Sequence, residues 1–294
     1  MPELPEIAAY LHALASRIIG ATLNEVRVAS FSLLKTYDPP TSAVHGAEIS
    51  KLSRIGKRIV IETDRSIDLV IHLMVAGRLQ WNDTPKPVPK RRGLAAFDFS
   101  TGSLLLTEAG TKHRARLHIV SHDMLDELDP GGLEIAESTA DEFATALLSE
   151  RHTLKRALAD ARYISGIGGA FADEILFHAK LSPLQMNTNL DKDELSRLHI
   201  AAVTTLDTWT QIRIEETGAD FPTKVTAFHD GMSVHGKFGE PCTVCHTPIQ
   251  RISYASRETN YCPLCQTGGT VLADRSLSRL LKDDWPRSVE ELEG

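Results

Sequence analysis

Four cysteines constrain this chain more than any other feature. Cys242, Cys245, Cys262 and Cys265 form two C-x2-C pairs separated by sixteen residues. Thiolates three positions apart in a tight turn can face one ion, and two such pairs complete a tetrahedral S4 site. No cysteine is left over. Disulfides are the rival reading, disfavoured in a cytosolic chain, and iron is the other ion that four thiolates admit. Structural zinc is the expected occupant. With all four positions filled by protein, it would hold a fold and not catalyse. His246, beside the second cysteine, reads as a loop residue. Between the pairs, residues 252–254 and 260–261 read as strands of a hairpin, with 256–259 near its turn. Arg257 there could grip phosphate, because a guanidinium fork matches phosphate geometry; a solvated surface arginine is the plainer alternative.

The rest of the chain has to make a core around this unit. At 294 residues and 42% hydrophobic it can bury one, in two or three domains. No run of about 18 or more uncharged apolar residues exists, which argues against a membrane span. Glu3 and Glu6 fall where a secretory signal would be basic and then apolar, so a cytosolic protein is expected. The net charge of −7 taken alone argues against nucleic acid as partner. Charge, however, acts within roughly 8–10 Å, and here it is segregated. Acid concentrates in 123–142, 191–194, 215–220 and 283–293. Base concentrates at Lys51, Arg54, Lys57 and Arg58; Lys90, Arg91 and Arg92; Lys112, Arg114 and Arg116; Arg151, Lys155 and Arg156. Either one basic groove on an acidic body or ordinary solvated surface fits that map.

Ile7, Leu11, Leu14 and Ile18 recur at helical spacing, with Pro5 and Glu6 as start signals and Gly20 as a stop. Short β-like runs follow at 23–28, 48–52, 58–62, 67–74, 94–99 and 103–108, punctuated by Asp38-Pro39-Pro40 and Thr101-Gly102. One helix and six or more strands predict a β-sandwich or barrel for roughly residues 1–125. At Leu128-Asp129-Pro130-Gly131-Gly132 the texture changes, and helical patterns follow at 140–148, 153–159, 170–179 and 193–215. The fold class is therefore α+β. The expected domains are a sandwich over 1–128, a linker over 129–150, a helical domain over 151–232, the finger over 233–268 and a tail over 269–294.

Two further stretches could carry chemistry. Lys57 sits on a turn in Arg54-Ile55-Gly56-Lys57-Arg58, placed for a phosphate contact or a proton transfer. Gly166, Gly168 and Gly169 precede a helix, whose first amides could receive a phosphate oxygen. No Gly-Lys-Ser/Thr follows and no strand precedes, so this is neither a Walker loop nor a dinucleotide turn. A helix–helix turn is the plain alternative.

These pieces occur in one order: Met1-Pro2-Glu3-Leu4-Pro5-Glu6, Gly56-Lys57, His72-Leu73 with Gly77-Arg78-Leu79, the glycine turn, Val234-His235-Gly236 and the four-cysteine finger. In that order the chain resembles the formamidopyrimidine-DNA glycosylase/endonuclease VIII family, to about Gln266. The resemblance implies an N-terminal helix plus β-sandwich, a helix–two-turn–helix domain and a β-hairpin zinc finger holding one Zn2+. It implies a bifunctional base-excision repair enzyme that turns a damaged nucleotide out of double-stranded DNA. A monomer in a bacterial cytoplasm, associated with the nucleoid, goes with it. By match to the motifs, Pro2 would be the nucleophile, Glu3 the general acid/base and Lys57 the loop lysine near the scission site. Lys155, Gly168, Gly169 and Arg257 would contact DNA. The α-amino group suits this role, because its ordinary pKa of roughly 7.7–8.0 leaves a neutral fraction near pH 7. It is a nucleophile only once Met1 is removed.

Three stretches depart from the family pattern. Val75 stands where a methionine usually fills the gap left by the extruded base. Strand alternation would keep neighbouring Met74 from substituting. Around residues 107–115 the expected arginine–phenylalanine wedge is missing, and Lys112, His113 or Arg114 could replace it. Gly169 stands where an asparagine usually contacts phosphate. These changes fall on DNA handling and not on Pro2 and Glu3. They point to retained lyase chemistry with altered substrate choice, oxidised pyrimidines, abasic sites or a bulkier lesion rather than 8-oxoguanine. A zinc-finger DNA-binding protein of this fold that has lost glycosylase activity is the alternative, and a zinc-stabilised scaffold that binds RNA or protein is a third.

Overall fold

The computed structural model describes residues 1–294 except 111, 224, 255–256, 275–279, 281–285 and 293–294, and leaves the side chains of residues 254 and 257 undescribed. The chain divides into two compact units. One comprises Met1–Pro130 with Trp209–Thr226, the other Gly131–Thr208 with Ala227–Gly294.

In the first unit, helix α1 (Leu4–Ile18) opens the chain and buries Ile7, Tyr10, Leu14 and Ile18. Eight antiparallel strands follow: β1 (Thr22–Val28), β2 (Ala47–Ile55), β3 (Arg58–Thr63), β4 (Ile67–His72), β5 (Gly77–Asn82), β6 (Gly93–Phe99), β7 (Gly102–Glu108) and β8 (Arg116–Ser121). Their order is β5-β7-β6-β1-β2-β3-β4-β8. The β1–β2 seam pairs only Thr22 with Glu48 and Leu23 with Ala47, so the sheet works as two four-stranded halves. Both halves send alternate residues into one core. Leu23, Phe97 and Leu104 come from one half; Ile59, Ile71 and Leu117 come from the other. That shared interior is the expected sandwich.

Strands β5 and β8 were not foreseen. β5 begins with a glycine straight after a turn, and the alternation of β8 is disguised by Arg116 and His118. The run expected at 67–74 ends at His72, because residues 74–76 form a turn before β5. Gly77 donates its N–H to the Leu73 carbonyl at 2.9 Å. A Cβ at Gly77 would sit 2.3 Å from that carbonyl oxygen, so this turn needs glycine.

In the second unit, α2 (Ala140–Leu148), α3 (Leu154–Ala159), α4 (Gly169–His178) and the first part of α5 (Lys192–Thr217) form the helical part. α2 lies inside the segment expected as a linker. Phe143, Leu147, Leu154, Leu158, Phe171, Ile175 and Leu176 are fully buried. The hairpin β9 (Gln250–Tyr254) and β10 (Arg257–Tyr261) and the short helix α6 (Pro263–Thr267) complete the finger. Tyr254 pairs with Arg257, so residues 257–259, expected near the turn, belong to β10, and Ser256 lies outside the described residues. After the finger, Thr270 bridges Ser288, and the buried Asp274 carboxylate accepts the Ser253 N–H at 2.6 Å.

Candidate active site and metal centre

In the first unit the start of α1 gathers the expected catalytic groups. Pro2, Glu3 and Glu6 are all buried, Glu6 completely. Glu3 is the N-cap, and the Glu6 carboxylate accepts the Glu3 N–H at 2.7 Å in a capping box. Glu6 therefore fixes the backbone on which Glu3 and Pro2 stand.

The terminal amine, here that of Met1, has its pKa held below the ordinary α-amino value. Burial is the main cause; Arg78 and Lys57 add to it, while Glu3 and Glu6 oppose it. Two carboxylates and two cations thus converge on one amine, from α1, from the β2–β3 turn and from β5. Gly56, at φ +57°, makes the turn that presents Lys57. Arg78 went unnoticed in the sequence as a site residue. Its Nη1 donates to the Gly77 carbonyl at 2.7 Å and to that of Val75 at 3.3 Å, tying it to the turn beside the amine. Tyr10, one turn beyond Glu6, accepts the Leu79 N–H at 3.2 Å, and burial pushes its hydroxyl up to about 12.

Val75 lies at the apex of the 73–77 turn and is exposed. Met74 has φ +53°, so strand alternation does not govern which way these two residues face. Met74 is therefore not kept from the gap by strand alternation, contrary to expectation. Lys112 and Arg114 are exposed on the segment between β7 and β8. The buried Glu108 carboxylate holds that segment by accepting the N–H groups of Arg114 at 2.7 Å and Ala115 at 2.9 Å. A cavity of about 710 Å3 lined by Gln80, Trp81, Asn82, Arg213 and Phe221 is bordered by none of the groups around the amine.

In the second unit, Gly168 is the N-cap of α4 and Gly169, its first residue, is exposed, with open space where a Cβ would stand. Lys155 does not point freely outward. Its ammonium donates to the Gly169 carbonyl at 2.8 Å, to the Glu258 carbonyl at 3.2 Å and to the Asp173 carboxylate. The other oxygen of Asp173 lies 2.8 Å from His235 Nδ1. Next in sequence, the Glu174 carboxylate accepts the N–H groups of Ser233, Val234 and His235 at 2.8–2.9 Å. Two adjacent buried carboxylates of α4 therefore anchor the segment 233–235 that leads into the finger and, through Lys155, its hairpin. Arg257 lies in β10; its side chain is outside the described residues.

The four cysteine Sγ atoms lie within 4.8 Å of one another, with Cys242 and Cys265 at 3.9 Å and Cys245 and Cys262 at 3.3 Å. Tetrahedral zinc with Zn–S of about 2.3 Å requires Sγ–Sγ separations near 3.8 Å, so the set fits such an ion. Val244 and Cys265 N–H groups donate to Cys242 and Cys262 Sγ at 3.4 Å each, supporting thiolate charge. Burial pushes the Cys262 and Cys265 thiols up, a penalty that a bound cation would reverse. His246 is exposed, at φ +63°, and is not among the clustered ligand atoms.

Comparison with known proteins matches this layout piece by piece. The family models for the formamidopyrimidine-DNA glycosylase N-terminal domain, the formamidopyrimidine-DNA glycosylase H2TH domain and the zinc finger found in FPG and IleRS match residues 1–116, 130–221 and 239–268. A formamidopyrimidine-DNA glycosylase of Carboxydothermus hydrogenoformans is 34% identical over 90% of this chain and 100% of its own. The fold resembles a Lactococcus lactis FPG mutant solved with Fapy-dG-containing DNA, at TM-score 0.81 and 24% identity over 90% of this chain and 100% of that one. It also resembles the wild-type L. lactis FPG solved with DNA containing an oxidised pyrimidine, at TM-score 0.79 and 25% identity, again over 90% and 100%. The domain order, the extent of the match and the clustered finger cysteines lead to one conclusion: this chain belongs to the formamidopyrimidine-DNA glycosylase family.

Proposed function

We propose that this chain is a bifunctional DNA glycosylase and abasic-site lyase, with Pro2 as nucleophile once Met1 is removed. The observation that carries the reading is that buried Pro2 and Glu3 open α1 where Glu3, Glu6, Arg78 and Lys57 act on the terminal amine, here that of Met1, the residue ahead of Pro2. Burial and neighbouring cations keep more of the amine neutral, and only the neutral amine attacks. The nitrogen bonds to C1′ of the flipped nucleotide as the glycosidic bond breaks and the base leaves with its electron pair, taking up the proton that the nitrogen gives up. Glu3 protonates the ring oxygen as the sugar opens, giving an iminium. The iminium acidifies the C2′ proton, whose removal expels the 3′ phosphate; a second elimination expels the 5′ phosphate. Lys57 and Arg78 would hold phosphate beside the reacting sugar.

In the second unit Gly168 and Gly169 would receive a phosphate on the α4 amides. Lys155, whose donors are engaged within the protein, would position that turn from behind, and Arg257 would hold phosphate from the hairpin. Zinc in the four-cysteine site would keep the hairpin folded. Val75, Lys112 and Arg114 would border the gap left by the extruded base. An oxidised pyrimidine or an abasic site fits these departures better than 8-oxoguanine. The protein would work as a monomer on double-stranded DNA in the cytoplasm, at the nucleoid.

A duplex panel carrying an abasic site, an oxidised pyrimidine or 8-oxoguanine, scored for base release, strand nicking and borohydride-trapped adduct, tests the reading. The adduct is expected with abasic DNA, and Pro2→Gly is expected to abolish it. Binding without release, nicking or adduct would leave a DNA-binding protein that has lost the chemistry.

A further inference from the structure

The outer face of the β2-β3-β4-β8 half carries charge that the mechanism does not use. Ile59, Ile61, Leu69, Ile71, Leu117 and Ile119 face the shared core. By strand alternation Arg58, His72, Arg116 and His118 share the opposite face with Val60, Val70 and Val120. Register aligns them: Arg58 pairs with His72, His72 with Arg116, and His118 sits opposite Val70, diagonal to His72. Leu125 and Leu128 pack on the valines, while Arg116 remains exposed and Arg58, His72 and His118 half-buried.

Arg58 and Arg116 flank His72, which is neutral near pH 7, and among the described residues Asp129, acting on Arg58, is the acid set against them. Arg58, Lys57, Arg116 and His118 all act to lower the His72 pKa, after burial, to about 4. Arg58, Arg116 and Lys35 do the same to His118, again after burial. Asp129 acts on Arg58 in compensation. The other acids of this face are engaged elsewhere, Asp68 with His122 and Glu62 with Ser53 and Lys51. His72 Nε2 is buried with no hydrogen-bond partner. Elsewhere in the same unit an arginine on a sheet face has its acid, as Arg27 has Asp98 at 2.5 Å.

Polyanion is the partner that such a row fits, and its position favours one source. Arg58 follows Lys57 directly, so the row continues from the loop placed at the scission site. We propose that Arg58, Arg116 and His118 carry a further stretch of DNA phosphate backbone across the outer face of β3, β4 and β8, continuing from Lys57. The proposal rests on the reading of DNA as substrate. It assigns this surface to affinity and placement on the duplex, with base identity read elsewhere.

The test is the salt dependence of binding to a duplex carrying an uncleavable abasic analogue. Each phosphate neutralised on duplex DNA contributes about 0.9 to the slope of log K against log salt. Arg116→Ala is expected to flatten the slope by about 0.9 and Arg58→Gln with Arg116→Ala by about 1.8, while Arg116→Lys keeps it. Arg116→Ala is expected to melt no lower than the wild type, since it relieves repulsion; a lower melting point with an unchanged slope would assign Arg116 to packing and overturn the proposal. Unchanged slopes with intact wild-type binding would remove this row alone, and failure of the wild type to bind would remove the DNA reading with it. A His118 imidazole signal that inorganic phosphate shifts as far as the duplex does would reduce the row to a simple anion site and also overturn it.

Discussion

Arg78 is where the amine's chemistry meets its environment. Its charge lowers the pKa of the Met1 amine, alongside burial and Lys57, and is expected to act in the same sense on the Pro2 amine once Met1 is removed. Removing it should therefore raise that pKa and move the acid limb of the trapping rate to higher pH. Each unit of displacement is about a tenfold loss on the acid side, recovered above the limb. Arg78→Gln is expected to trap abasic DNA more slowly near neutral pH and at the wild-type rate in alkali, and Arg78→Lys to keep the wild-type profile. A loss independent of pH would show that Arg78 acts only by bracing the 73–77 turn. The sequence marked Pro2 and Glu3 through their place at the start of a resembling chain. It marked Arg78 only as one letter of a motif, because its nearness to the amine arises from β5 meeting α1, where the Leu79 N–H donates to Tyr10, a contact between distant residues. Glu6 was legible as a helix-start residue, and the structure gives it that role through its bond to the Glu3 N–H.

Among elements, α4 carries the most consequence for its length. Asp173 is fully buried between Lys155 and His235, and Glu174 beside it holds three consecutive amides. Removing one partner from a buried ionic cluster costs about 3–5 kcal/mol. Asp173→Ala is expected to lower the thermal midpoint of the purified protein accordingly, and Asp173→Leu with Lys155→Met to recover part of that loss. A midpoint unchanged by Asp173→Ala would contradict the structural role given to the cluster. Helix periods made α1 to α5 readable from the sequence within a few residues, and α2 to the residue. The cluster itself was not readable, since Lys155, Asp173 and His235 stand far apart in sequence and a lysine ahead of a glycine turn reads as a phosphate ligand. β8 was obscured for the reason that makes it of interest, two polar residues, Arg116 and His118, on its outer face.

At the scale of the whole molecule, the four cysteines at one end raised the first three residues at the other from an ordinary helix start to a candidate nucleophile and its acid. Spacing alone placed the finger, and the mutual approach of the four Sγ atoms agrees with it. The central claim is that the covalent bond to DNA forms at the residue after Met1. Its most direct test is to trap the wild-type protein on abasic duplex with borohydride, digest the adduct and map the sugar remnant by mass spectrometry. The account predicts the remnant on the nitrogen of Pro2, in a peptide lacking Met1, and no adduct from protein in which Met1 or a tag is retained. A remnant on Lys57 or another lysine, or an adduct formed with Met1 still in place, would contradict it.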